Sequence, residues 1–193
     1  MAGALFLASA SPRRRELLAQ AGLAFEVVAG IAVDEAPRPG EAPDALVERL
    51  AVAKARAGAL ALGPRAAGAT VLGADTEVVL DGQVLGKPRD AADGQAMLLR
   101  LAGRTHQVLS AVAVRRDGRE RVAVSVSAVT LRPLAAAEAV AYWATGEPRD
   151  KAGGYAIQGR AAAFVTRLEG SYTGVVGLPL YEALELIQQS EGR

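Results

Sequence analysis

The chain contains no cysteine, which removes disulfides, thiolate metal centres and a cysteine nucleophile together. It has a single histidine, His106, so an imidazole-rich metal site is excluded as well. Aromatics make up only 4% of the residues, which speaks against a base-stacking surface for RNA and leaves the core to small and aliphatic side chains. The formal net charge is +1, so no overall basic field advertises a nucleic-acid or membrane partner, and neither is expected. Long apolar runs are missing too. The stretch at residues 4–8 is short and has no charged region before it, and no later run approaches the ~18 residues of a membrane span. Neither a signal peptide nor a membrane helix is expected, and a cytoplasmic location is the default expectation.

What is present is the balance of a globular domain, with 51% hydrophobic and 22% charged residues in 193. That length suits one well-buried core, so a single domain over residues 1–193 is expected. No internal repeat or low-complexity linker interrupts it, and the Pro/Gly-rich residues 36–43 read as a loop. Short strands are predicted at 5–8 and 25–29. Between them lies a helix with Ser11 as its cap, Pro12 at its first position and Gly22 at its end. A long helix is predicted over 44–62, with Leu46, Leu50, Ala53 and Ala57 at helical spacing. A strand at 70–80 meets Asp81-Gly82, a type I′ hairpin signal, and pairs with 83–87. A helix over 90–101 follows. Strands near 107–115 and 121–131 flank the turn Asp117-Gly118, and a helix covers 135–145. A glycine-rich loop at 151–159, a strand at 162–168 and a helix from about Pro179 to 189 complete the chain. Strands and helices interleave without strict alternation, so the fold class is α/β with a mixed sheet flanked by helices.

Several residues do not fit a purely structural pattern. Arg13 and Arg14 stand in the first turn of a helix, where the macrodipole disfavours cations by about 0.3–1 kcal/mol each. A bound phosphate chain reverses that cost, with the hydroxyls of Ser9 and Ser11 as further donors. A solvated helix start with locally paired arginines fits equally well. Lys54 falls inside the apolar arc of its helix, either snorkelling outward or pointing into a cleft. Asp75 sits in the middle of an apolar strand, so it must be paired, protonated or bound to a cation. Glu77 shares its face. The hairpin register places Lys87 within about one residue of Asp75, unless it slips at Gly86-Lys87-Pro88. Asp34 and Glu35 form either a solvated loop pair or part of a metal site, because a hard divalent cation with phosphate ligands takes only one or two carboxylates. Residues 82–87 imitate a phosphate-binding loop but are one residue short and precede Pro88, so that reading is rejected. Nothing resembles a nucleophile elbow, and His106 is expected to be structural. Several cations, a few carboxylates and no thiol suit phosphoanhydride hydrolysis.

These residues also carry a resemblance. Ser9-Ala-Ser-Pro-Arg-Arg14 with Glu16-Leu-Leu18, Lys54-Ala-Arg56, Gly73-Ala-Asp-Thr76 and Gly86-Lys-Pro88 are similar to motifs of the Maf family of nucleoside triphosphate pyrophosphatases. So are Asp150-Lys-Ala-Gly153, Ile157-Gln-Gly159 and Val176-Gly-Leu-Pro179, and the resemblance spans almost the whole chain. It implies an elongated fold like that of the inosine triphosphatase (Ham1-like) proteins, with a nucleotide cleft between two lobes. It further implies divalent-metal-dependent cleavage of a nucleoside triphosphate, with Mg²⁺ or Mn²⁺, and a homodimer in many members. Asp75 matches the family's catalytic acid, which either takes a proton from water or mainly holds the metal. Arg13, Thr76 and Gln158 match positions tied to base selectivity, and Ser9, Arg14, Lys54 and Lys87 match the phosphate site. The family's loop acid falls at Asp34 or Glu35. Thr76 with Ile157-Gln158-Gly159 is similar to the house-cleaning subgroup acting on dTTP and UTP. The alternatives are the 7-methyl-GTP subgroup and a non-enzymatic nucleotide-binding regulator of cell division. Glu77 departs from the family's usual apolar residue.

Overall fold

The computed structural model describes residues 3–192. In chain order the elements are β1 (Leu5–Leu7), α1 (Pro12–Gln20), β2 (Glu26–Val27), α2 (Pro43–Leu62), β3 (Thr70–Leu80), β4 (Gln83–Leu85) and α3 (Ala91–Leu101). They continue as β5 (Thr105–Arg116), β6 (Arg119–Leu131), α4 (Ala136–Ala144), β7 (Val165–Glu169), α5 (Tyr172–Val176) and α6 (Leu180–Ser190). The expected mixed α/β architecture is present: a 7-stranded sheet in the order β2-β1-β3-β5-β6-β7, with β4 paired to β3 off that path. β1 runs parallel to β2 and β3, and every other pair is antiparallel. Both predicted hairpin turns form with positive φ at both central residues, 52° and 75° at Asp81-Gly82 and 47° and 81° at Asp117-Gly118.

The pairing of β3 explains where the cleft lies. On one edge it pairs with β5 continuously from Val71 to Val79. On the other, β1 pairs with its first three residues and β4 with its last three. Among the described residues, 73–77 therefore have a strand on one side only. The side chains of β3 alternate across the sheet. Leu72 and Ala74 enter one apolar cluster with α1, α5 and α6, whereas Val78 and Leu80 enter another with α3 and α4. Thr76 lies between the two clusters, and the open edge lies beside it.

The opposite face of β3 is covered by α2. Its buried stripe is Leu46, Val47, Leu50, Ala51, Ala55 and Gly58. Ala53 and Ala57, expected in that stripe, are only half-buried, because helical geometry places 47, 51, 55 and 58 in one line along β3. The helix comes unusually close. A Cβ on Gly73 would lie 2.3 Å from the Ala51 carbonyl oxygen and 2.5 Å from the Ala55 nitrogen, so only glycine admits this approach.

Other boundaries moved. The β4 ladder ends at Leu85, not at Lys87, because Pro88 has no N–H to extend it and the Gly86 carbonyl turns to accept from the Gly153 N–H at 3.1 Å. The segment expected as a strand from 162 opens instead as a 3-10 turn, Arg160–Phe164, before β7. The short helix α5 was not anticipated. Ser171 caps it by accepting from the Gly174 N–H at 3.0 Å. Ser11, by contrast, makes no side-chain cap, and its own N–H donates to Ser9 Oγ at 3.2 Å. Among the described residues no helix is long and apolar enough to cross a membrane.

Candidate active site

The gap beside β3 opens into a cleft of about 690 Å³, a size suited to a small-molecule ligand. Its floor is Asp75, Thr76 and Glu77. The end of β1 and the start of α1 bound one side, and Gly86 and Lys87 the other. The close packing at Gly73 sets the chemistry of the floor, since Lys54 lies one residue before Ala55 on α2. Lys54 Nζ donates to Asp75 Oδ1 at 2.7 Å and to Glu35 Oε1 at 2.6 Å, with side-chain exposures of 13%, 8% and 51% for Lys54, Asp75 and Glu35. Asp75 Oδ2 and Glu77 Oε2 are buried with no hydrogen-bond partner. Buried oxygens of this kind carry a large desolvation cost, which a bound ligand, water or ion relieves.

Lys54 thus points into the cleft and does not snorkel outward. It, and not Lys87, is the partner of Asp75. With β4 cut short, Lys87 stays exposed on the rim and forms no ion pair among the described residues. Its charge still reaches the floor. Burial alone would raise Glu35, but the Lys54 hydrogen bond and the charges of Lys54, Lys87 and Arg14 hold its carboxyl below the ordinary value. Glu77 shifts the other way. Burial, reinforced by the Asp75 charge, pushes it up to about 7.

The arginines of α1 are accounted for by backbone carbonyls. Arg13 Nε donates to the Val176 carbonyl at 3.2 Å and Arg14 Nε to that of Gly177 at 2.8 Å. Arg14 Nη1 also donates to Ser9 Oγ at 3.1 Å, and Arg13 Nη1 lies 3.8 Å from Asp150 Oδ2. Burial lowers the Arg14 guanidinium from its ordinary value, against the opposing pull of Asp75. Arg15 is exposed, as expected of a solvated residue. Thr76 Oγ1 donates to the Gly177 carbonyl at 3.3 Å and shares a 2.9 Å hydrogen bond with Ser110 Oγ, while Ser110 Oγ lies 2.6 Å from the Gly174 carbonyl. The carbonyls at 176 and 177 and the hydroxyl of Ser110 went unnoticed in the sequence, because carbonyl positions leave no mark on residue type.

The remaining wall is the glycine-rich loop, from which Tyr155, Ile157 and Gln158 line the cleft. Gln158 is exposed and its amide makes no hydrogen bond among the described residues. Of the two loop acids, only Glu35 faces the cleft. Asp34 Oδ1 accepts from the Ala36 N–H at 3.0 Å and lines a neighbouring groove, so the expectation of a metal-side role for Asp34 is corrected. The loop is clamped to α2 by Arg49, whose Nη2 donates to Glu41 Oε2 at 2.8 Å and the Ala36 carbonyl at 3.1 Å. His106 is buried against the glycine-rich loop with Nε2 at 2.7 Å from the Tyr155 hydroxyl, and burial pushes it down to about 4. It is a neutral structural residue.

The profile of one protein family, described as Maf-like protein, matches residues 4–190. The chain belongs to the Maf-like family. Proteins named dTTP/UTP pyrophosphatase are similar to this Maf-like chain along nearly its full length. One from Methylococcus capsulatus is 55% identical over 95% of this chain and 89% of its own. Another, from Saccharophagus degradans, is 52% identical over 97% and 89%. A third, from Cupriavidus metallidurans, is 49% identical over 98% of each. A solved dITP/XTP pyrophosphatase from Mycobacterium abscessus aligns at a TM-score of 0.40 and 19% identity over 66% of this chain and 72% of its own, too loose a match to bear on the fold. Among the described residues no three acids converge into a protein-only cation cage in this Maf-like cleft. A hard divalent ion that keeps phosphate and water ligands needs only one or two carboxylates. Glu35, facing the cleft beside Asp75, fits that demand.

Proposed function

We propose that this Maf-like chain is a nucleoside triphosphate pyrophosphatase that hydrolyses dTTP and UTP to the monophosphate and pyrophosphate. The observation that carries the reading is Asp75 on the open edge of β3. Lys54 fixes one carboxylate oxygen, and the other is buried without a protein partner and free to act. The roughly half-identical relatives named dTTP/UTP pyrophosphatase support the substrate class.

In this mechanism the triphosphate lies between the start of α1 and the rim at Lys87. Water attacks the α-phosphorus. The new P–O bond stays with the monophosphate, while the bond to the bridging oxygen breaks and that oxygen leaves with pyrophosphate. Asp75 Oδ2 accepts the proton that the water loses. Arg14, Lys54 and Lys87 stabilise charge on the phosphate oxygens, with Ser9 as a hydroxyl donor. A divalent cation, Mg²⁺ or Mn²⁺, would be held by Glu35 together with phosphate oxygens beside Asp75, and when bound it would neutralise charge and make the attacking water more acidic. At the other end, the Gln158 amide offers both a donor and an acceptor to a pyrimidine edge, beside Thr76 and Arg13.

The test is pyrophosphate release from a panel of triphosphates with Mg²⁺ or Mn²⁺. Turnover of dTTP and UTP is expected, with a loss of about 10³-fold in Asp75→Asn. An Asp75→Asn protein as active as wild type would overturn the role of Asp75. Preference for 7-methyl-GTP would overturn the substrate, and no turnover of any triphosphate would overturn the enzyme.

A further inference from the structure

Resting on the reading of Gln158 as a base reader, we propose that Glu147, which does not line the cleft, is the positioning residue that holds the base-reading loop. Residues 156–160 form a tight turn with Gln158 at its outer end. The turn closes on itself where the Gly159 N–H donates to the Ala156 carbonyl at 3.0 Å. Each end is then tied, one to α4 and the other to the 3-10 turn Glu147–Asp150 that follows it. The Ala156 N–H donates to the hydroxyl of buried Tyr142 at 3.0 Å, and the Arg160 N–H donates to Glu147 Oε2 at 2.9 Å. The Glu147 N–H is itself held by Thr145 Oγ1 at 3.2 Å, so the carboxylate is anchored at its root.

Gly159 shows how closely the loop and Glu147 are fitted. A Cβ there would lie 2.2 Å from Glu147 Oε2 and 2.7 Å from its carboxyl carbon. Gly159 has a negative φ of −109°, so it is not a left-handed glycine, and a Cβ there would push the Glu147 carboxylate off the Arg160 N–H. Between the two ties Ile157 packs against both apolar clusters. Only the Gln158 side chain is left without a partner. A ligand-reading amide held on a turn fixed at both ends is pre-organised, and a freed turn must be ordered again each time a base binds. The carboxylate makes its bond to the N–H a charge-assisted one.

The experiment compares wild type, Glu147→Ala, Glu147→Gln, Gly159→Ala and the Glu147→Ala/Gly159→Ala double variant, using UTP and CTP. Melting temperature is measured alongside. For Glu147→Ala, KM for UTP is expected to rise and the UTP-over-CTP preference in kcat/KM to fall, each about tenfold, with kcat for UTP within about twofold. Glu147→Gln, which keeps an acceptor oxygen, restores most of both. Gly159→Ala reproduces the defect, and the double variant is no worse than Glu147→Ala, because the collision has gone. A lowered melting temperature with wild-type KM and selectivity would mean a merely structural role and overturn the proposal. So would a Glu147→Gln variant as defective as Glu147→Ala. Wild-type turnover with unchanged selectivity in Glu147→Ala breaks this inference alone, whereas absence of turnover in wild type breaks the pyrophosphatase reading and this inference with it.

Discussion

The two ends of the cleft are built by opposite means. At the acidic end, Lys54, Asp75 and Glu77 project from the middles of α2 and β3, and a glycine contact sets their separation. At the loop end, Gln158 stands on an irregular turn held by two side-chain contacts, from Tyr142 of α4 and from Glu147 just beyond it. Regular elements locked by a close helix–sheet approach hold charged groups rigidly enough to lower the cost of charge development. A turn hung from a few hydrogen bonds suits the reading of a base, where small changes in fit alter preference and leave the chemistry intact. On the proposed reading, rate and selectivity depend on different kinds of packing in one cleft.

Four substitutions would break or sharpen that contrast. The largest effect is expected for Lys54→Met, which leaves Asp75 buried without a counter-charge. Stability should fall by about 3–5 kcal/mol, and kcat should fall at least about 10²-fold if folded protein is recovered. Denaturant titration and single-turnover kinetics read the two separately. Arg14→Lys comes next, since an ammonium cannot bond the Gly177 carbonyl through Nε while reaching phosphate through its fork. A KM increase of about tenfold for triphosphate is expected, measured by steady-state kinetics. Thr76→Val removes the hydroxyl from Ser110 and the Gly177 carbonyl. It should change the ratio of kcat/KM between pyrimidine substrates several-fold more than it changes kcat, and an equal loss in both would place Thr76 in the chemistry.

The smallest effect at neutral pH belongs to His106 under the loop. Its folded pKa is pushed down to about 4, below the value of about 6.5 expected unfolded, so the unfolded chain binds the extra proton between these values. Its contribution to stability is complete above about pH 6.5 and is lost as pH falls, levelling off below about 4. The whole change amounts to roughly 3 kcal/mol. His106→Gln should flatten that part of a stability-versus-pH curve and leave turnover at pH 8 close to wild type.

Much of this was readable along the chain. Asp81-Gly82 and Asp117-Gly118 announced their turns because two consecutive positive φ values admit few residues. Asp75 in an apolar strand and Arg13 and Arg14 in a first helical turn stood out because isolated charge there carries a cost that something must offset. The partner of Asp75 was another matter. Extending the hairpin register favoured Lys87, but the ladder stopped at Leu85, and the true partner came from a helix across the sheet. The choice between Asp34 and Glu35 also needed the fold, since adjacent residues in a loop have no fixed faces until Arg49 clamps them.

The opening motif shows the same division. Local electrostatics required that Arg13 and Arg14 find acceptors, and that much follows from composition and periodicity. Their acceptors are the carbonyls of Val176 and Gly177, which every residue type possesses and which no local pattern can single out. Side-chain chemistry along the chain thus decided which groups were under electrostatic stress. Long-range packing decided what relieved them, because the arginine–carbonyl contacts join α1 to residues 163 positions away and the approach of α2 brings Lys54 to Asp75 from across the sheet.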